Sequence, residues 1–160
     1  MAMTNDGQTL IDLIQLYGDY AVAVDAAQWD KWVEFFTDDC EYKIQPRENY
    51  ERGFPLSTLA LLSKNMLKDR VYGIRETLYH DPYYQRHVVG LPVIRENKDG
   101  VIVAEANYAV FRTKLSGEST VFNVGRYLDR IRRDGDTLKF MSRLCIYDSE
   151  MIPNSIIYPI

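Results

Sequence analysis

From Gln85 to Tyr147 the chain consists almost wholly of strand-forming runs, and this half most constrains what it can fold into. The runs cover 85–96, 101–115, 118–133 and 138–147 and are separated by Asn97 to Gly100, Ser116-Gly117 and Asp134 to Asp136. Asn, Asp and Gly supply the backbone conformations of tight hairpins, so each separator reads as a turn. Connections this short join antiparallel neighbours, because a parallel pair needs a crossover of a dozen residues or more. The pattern therefore predicts an antiparallel meander, with strands longer than the usual ~5–6 residues. Long strands in a small domain coil strongly and often carry bulges, and Gly125 is the expected bend. In the second run Ile102, Ala104, Ala106, Tyr108 and Val110 line one face. The other face carries Val101, Val103, Glu105, Asn107, Ala109 and Phe111. Both are rather apolar: one is expected to pack on helices, the other to need cover from a ligand cavity or a partner protein.

The first half reads as helical. Over 9–27, Leu10, Ile14, Tyr17, Ala21 and Val24 recur at helical spacing and predict one buried face. A short helix over 29–35 presents Trp29, Trp32 and Phe35 or Phe36; Thr37-Asp38-Asp39 stops it, and 40–44 reads as a strand. The stretch 46–55, with Arg47, Glu48, Glu51, Arg52 and Gly53, reads as a loop with room for a short edge strand. Ser57 suits the N-cap of a third helix over 57–75 that buries Leu59, Leu62, Met66, Leu67 and Ile74, with Gly73 weakening its last turn. Helices first and sheet second make an α+β layout of segregated elements. A curved, mostly antiparallel sheet folded round a long helix is a cone, and its open end is a pocket or a docking surface. The 160 residues are expected to form a single domain, 1–160.

Composition narrows the function classes. With 46% hydrophobic and 26% charged residues the chain is globular rather than disordered. A formal charge of -4 argues against nucleic acid as a partner, since phosphate binding needs clustered Lys and Arg. No apolar run approaches the ~18 residues of a membrane span, and Met1 to Gln8 lacks the basic and apolar regions of a signal peptide. The expectation is a cytoplasmic chain with no membrane contact, whose Cys40 and Cys145 are reduced, buried thiols. Its 12 Tyr against 6 Phe favour aromatics with a polar tip, as found at subunit interfaces and cavity rims.

The densest chemical constellation is Tyr79 to His87. It reads either as a cavity with an acid/base histidine oriented by a carboxylate, or as a loop entering a strand with locally bonded side chains. Pro82 prevents a continuous helix there, and the odd spacing of His80 and His87 would set them on opposite strand faces, which disfavours a shared metal. Asp25, ending the first helix, is either a general base facing the cone interior or a cap for the next helix. Arg70, Arg75 and Arg86 read as helix-end and inter-element ion pairs, and Arg130 to Asp136 as a solvated hairpin tip. The run Asn154 to Ile160 is apolar enough to be docked, in this domain's own core or on a partner, and its removal from Ser155 onward is expected to weaken assembly. A Rieske cluster needs paired Cys and His, and an iron facial triad two His and a carboxylate. Neither Cys lies near a His here, so the chain is expected to hold no such cluster, and no convincing self-contained active site is read from the residues.

The sequence resembles the small (beta) subunits of Rieske non-haem iron aromatic-ring-hydroxylating oxygenases over nearly its whole length. The resemblance rests on Tyr17 and Asp25, on Trp29 to Tyr42, on Arg86-His87 before a strand, on Asn123 to Arg130, and on Ser142 to Asp148. Within the family, Tyr83 to His87 and the end from Asp148 to Ile160 are most similar to the small components of salicylate 5-hydroxylase, and less so to those of anthranilate and terephthalate oxygenases. The resemblance implies the nuclear-transport-factor-2-like cone with about three helices. It implies that the Rieske [2Fe-2S] cluster and the mononuclear Fe(II) belong to a large (alpha) partner subunit. Electrons would come from NADH through separate components, and three large and three small subunits would assemble. It further implies that Arg86, His87, Arg126, Asp129 and Arg143 are structural ion-pair or hydrogen-bonded positions, and that no residue of this chain is catalytic, cofactor-binding or metal-ligating. The rival on the same fold is a stand-alone dehydratase or isomerase using Asp25 with His80 or His87 in an open pocket.

Overall fold

The computed structural model describes residues 5–152 and 155–160. Helix α1 spans Asn5–Asp25 and α2 Trp29–Glu34, followed by strand β1 (Phe36–Pro46), the short helix α3 (Arg47–Glu51) and strand β2 (Leu59–Leu61). Helix α4 (Lys64–Tyr72) runs into one π-helical turn, Gly73–Thr77. Then come β3 (Tyr83–Val89), β4 (Val93–Lys98), β5 (Val101–Lys114), β6 (Ser119–Asp134) and β7 (Thr137–Tyr147). They form one sheet in the order β2-β1-β7-β6-β5-β3, with β4 also paired to β5. The α+β layout with its antiparallel meander is as the pattern predicts, and the turns use Asp99, Gly100, Ser116 and Gly135 at positive φ.

Several elements differ from the sequence expectation for identifiable reasons. β1 is longer than 40–44 and runs parallel to β7, with Tyr42 opposite Arg143 and Ile44 opposite Cys145. The run 85–96 is two strands, both on β5, broken at Gly90 to Pro92, because Pro92 has no N–H for the ladder. Ser63, not Ser57, caps α4: its Oγ accepts the Met66 N–H at 3.3 Å, while Leu59 to Leu61 pair with β1. Leu62 and Met66 are accordingly exposed, and Leu67, Val71 and Ile74 are buried. The 46–55 stretch holds α3 instead of an edge strand. On α1 the buried face is Leu13, Leu16, Tyr17, Tyr20 and Val24, leaving Leu10 and Ile14 38% and 41% exposed. Tyrosines take the inward positions because their hydroxyls find buried partners there.

The core lies between the helices and the inner sheet face. The Ile102 to Val110 row of β5 is buried, and the Val101 to Phe111 row faces outward, half-buried or exposed. At Gly125 the backbones of β6 and β7 come so close that a Cβ would stand 1.9 Å from the Ile146 carbonyl oxygen. Only glycine fits this approach.

Candidate functional site

The inner face is organised by one buried ion pair. Asp129 on β6 stands opposite Arg143 on β7, and both are 1% exposed. Arg143 Nε donates to Asp129 Oδ1 at 3.0 Å and Nη2 to Oδ2 at 2.8 Å, and the Tyr17 hydroxyl donates to the same carboxylate. The guanidinium lies over the rings of Tyr127 and Phe140 at 4.0 Å and Tyr20 at 4.2 Å. Such a pair is bidentate, charge-assisted and walled by aromatic faces. Burial alone would lower the arginine's pKa, but the Asp129 charge reverses this and holds it well above its ordinary value. Burial, then the Asp129 charge, pushes the Tyr17 hydroxyl well up. Neither Arg143 nor Tyr17 therefore exchanges a proton near neutral pH.

The second polar cluster joins Asp25 to His87. Helix α1 ends in a Schellman turn, with the Gln28 N–H on the Ala23 carbonyl at 2.9 Å and Ala27 at φ 54°. The last turn thereby presents Asp25 to β3. Its carboxylate accepts the His87 backbone N–H at 3.0 Å and lies 2.6 Å from His87 Nδ1. An Nδ1–H donor leaves Nε2 as the basic nitrogen of a neutral ring. That nitrogen is buried without a partner among the described residues, as are Gln85 Oε1 and Tyr83 Oη on the same inward row of β3. A carboxylate-oriented imidazole is the geometry of a general base. A groove of about 690 Å³ does exist, but it runs over the outer face and neither Asp25 nor His87 lines it. Asp25 does not cap α2, whose first turn has no side-chain cap. Instead it covers a free N–H on an edge strand.

His80 is elsewhere: Nε2 lies 2.6 Å from the Tyr158 hydroxyl and Nδ1 3.3 Å from the Leu78 carbonyl. Burial pushes the Cys40 thiol up to about 11 and the Cys145 thiol up to about 12. Among the described residues no three His, Cys, Asp or Glu converge as a ligand set. The two imidazoles bond different neighbours and no such group converges among the described residues, so these side chains do not make the paired ligands of a Rieske cluster or the set of an iron triad.

Residues 155–160 dock in the domain's own core; Asn154, where the apolar run begins, lies outside the described residues. Arg70 Nη2 donates to the Ile156 and Ile157 carbonyls at 2.8 Å each, and Gln85 Nε2 to the Pro159 carbonyl at 3.2 Å. The Tyr158 ring sits 4.6 Å from Tyr83 and 5.0 Å from Trp29. The Tyr20 and Tyr42 hydroxyls both donate to the Ile160 carbonyl at 2.9 Å, deep among core residues. The interior where an open pocket was one expectation is occupied here by the chain itself. Among the expected ion-pair positions, Arg75 holds Asp30 through two contacts, and Arg86 stands 3.8 Å from Asp25. Arg126 departs from that expectation: it makes no ion pair among the described residues and lies over the Tyr50 ring at 5.7 Å. The clamps made by Tyr20, Tyr42 and Arg70 carry no sequence signal, since each depends on a segment far away in the chain.

The central charges of this sheet-and-helix fold are locked in pairs, and its interior holds the chain's own residues 155–160. The chain belongs to the ring-hydroxylating beta-subunit family, whose profile matches residues 20–154. It is 32% identical over 158 residues to the anthranilate 1,2-dioxygenase small subunit of Burkholderia cepacia, covering 99% of this chain and 98% of that one. It is 30% identical over 141 residues to subunit beta 1 of the terephthalate 1,2-dioxygenase terminal oxygenase component of a Comamonas species, covering 88% and 92%. A crystal structure described as the beta subunit of an aromatic-ring-hydroxylating dioxygenase from Novosphingobium aromaticivorans superposes with a TM-score of 0.87 at 33% identity. That match covers 95% of this chain and 97% of the other. These relatives are parts of dioxygenases, hence of oxidoreductases.

Proposed function

We propose that this chain, as a single domain over 1–160, is the non-catalytic small subunit of a multicomponent Rieske aromatic-ring hydroxylase in the cytoplasm. Its large partner subunit carries the [2Fe-2S] cluster and the mononuclear Fe(II), three copies of each chain assemble, and NADH supplies electrons through separate components. The observation that carries this reading is the end-to-end match to a dioxygenase small subunit, 32% identical over 99% of the chain. In this reading no residue of the chain is catalytic, and Asp25, His80 and His87 are structural. The substrate is salicylate, hydroxylated to gentisate. The support for that is the likeness of Tyr83 to His87 and of Asp148 to Ile160 to salicylate 5-hydroxylase small components. The relatives' substrates, anthranilate and terephthalate, are benzene carboxylates as salicylate is.

The test is co-purification with the large subunit, then mass, iron content and turnover of salicylate, anthranilate and terephthalate. Equimolar chains, iron on the large subunit alone and gentisate as product are expected; a lone chain that binds no large subunit refutes the reading. The bare Nε2 of His87 favours one alternative, the cone-fold dehydratase or isomerase. His87→Ala in the assembled enzyme separates the two. Turnover held by well-assembled enzyme supports the structural role, and a loss of about a thousandfold, ~4 kcal/mol of barrier, with assembly intact overturns it.

A further inference from the structure

The outer face of the sheet, left half-bare by the fold, carries a contiguous apolar field. Cross-strand register sets Val88, Ala109 and Val124 in one row across β3, β5 and β6, and Arg86, Phe111 and Val121 in the next. Val88 is 57% and Val121 58% exposed, and Tyr84 in the row beyond is 66% exposed. Neighbours in register on one pleated face touch, so these side chains form a patch and are not scattered. Contiguous exposed apolar patches mark interaction sites.

The field is also locally cationic on a chain of net charge -4. Arg86 is 76% exposed, and Asp25, its ion-pair partner at 3.8 Å, is already held by His87 at 2.6 Å. Arg126, opposite Asn107 at the end of the field, makes no ion pair among the described residues; Glu105, which feels its charge, is held by Arg95 at 2.6 Å. No carboxylate stands in the rows from Tyr84–Thr113–Ser119 to Asn107–Arg126. A second copy of this chain related by a two-fold axis is a poor occupant, because that isologous contact would set the two arginines against their own copies. The N–H of His87 on the neighbouring β3 edge is taken by Asp25, so its edge is also blocked there to an added strand.

We infer that this face of β3, β5 and β6 docks the large oxygenase subunit, through a surface with an apolar centre and carboxylates placed to meet Arg86 and Arg126. The inference rests on the assembly reading above. It is tested by titrating the full chain against the isolated large subunit, with the Val88→Glu/Val121→Glu pair and the Arg86→Glu/Arg126→Glu pair as variants. Tyr72→Glu, at a 64% exposed position on α4, is the control. All three change solvent-facing side chains, and circular dichroism of each isolated chain verifies the fold. Both pairs are expected to weaken binding by about a hundredfold, the arginine pair more strongly at low salt, and the control to leave it unchanged. Wild-type binding with undiminished binding by both pairs overturns this inference alone. A wild-type chain that does not bind the large subunit overturns the assembly reading and this inference with it. Variants that alter only self-association of the isolated chain assign the face to a second copy and overturn it too.

Discussion

The Asp129–Arg143 pair shows how much one residue's position can matter. Removing two charges from water is repaid only by good geometry, and here both carboxylate oxygens and the aromatic walls are engaged. Breaking such a pair leaves an uncompensated buried charge. Arg143→Met should therefore cost about 3–5 kcal/mol in urea unfolding, and Asp129→Leu a similar amount. The double variant should cost well under the sum, because neither charge is then stranded. Additive losses, each below about 1 kcal/mol, would show that the pair contributes little. The pairing was only partly legible. Acid and arginine recur on adjoining strand runs, but counting back from the Asp134–Thr137 pair without a bulge sets Asp129 opposite Ser142. The extra residue, Met141, shifts β7 by one and brings Arg143 opposite. Bulges depend on how two strands coil together, which local sequence does not encode.

At the scale of elements, the meander was legible because its turns are chemically explicit and its faces alternate. The helix faces were less so. Counting apolar residues puts Leu10 and Ile14 inside α1, whereas the structure turns Tyr20 inward to meet Trp32 and the Ile160 carbonyl. A tyrosine's preference for the interior depends on a partner supplied by a distant segment. The same holds for residues 155–160: apolarity predicted docking but left open where. Their contacts with Arg70, Tyr42 and Gln85 place the cost of losing them in this chain's own fold and not first in assembly. Deleting 155–160 should lower the stability of the isolated chain by at least about 3 kcal/mol, since buried isoleucines alone contribute ~1.5–3 kcal/mol each. The comparison is a urea midpoint measured before any partner is added. A midpoint equal to the full-length chain's would mean that the segment matters only to the assembly.

The whole molecule joins these clamps into one interior rich in hydroxyls and thiols, and that interior sets a limit at high pH. Burial holds the Tyr42, Tyr108 and Tyr127 hydroxyls well above the usual tyrosine range, and the Cys145 thiol up to about 12. All these shifts are upward, so the folded state keeps protons that the unfolded chain gives up. Stability is then full below the ordinary thiol range, near pH ~8.5. It falls as pH rises past that value for the thiol and past ~10 for the tyrosines, until each folded pKa is reached. Each such group removes about 1.4 kcal/mol per pH unit within its window. The urea midpoint, measured under reductant, should be nearly level from pH ~7 to 8 and drop ever more steeply above ~10. The Cys40→Ala/Cys145→Ala double variant should delay the onset of the fall toward the tyrosine window, because burial raises both thiols. Tyrosinate absorbance provides a second readout. The buried hydroxyls should ionise in one step together with loss of near-ultraviolet circular dichroism, because the fold must open before they can release a proton. Gradual ionisation of the buried tyrosines with the dichroism intact would mean that water reaches the interior in the native state, and that the docked 155–160 segment does not seal it.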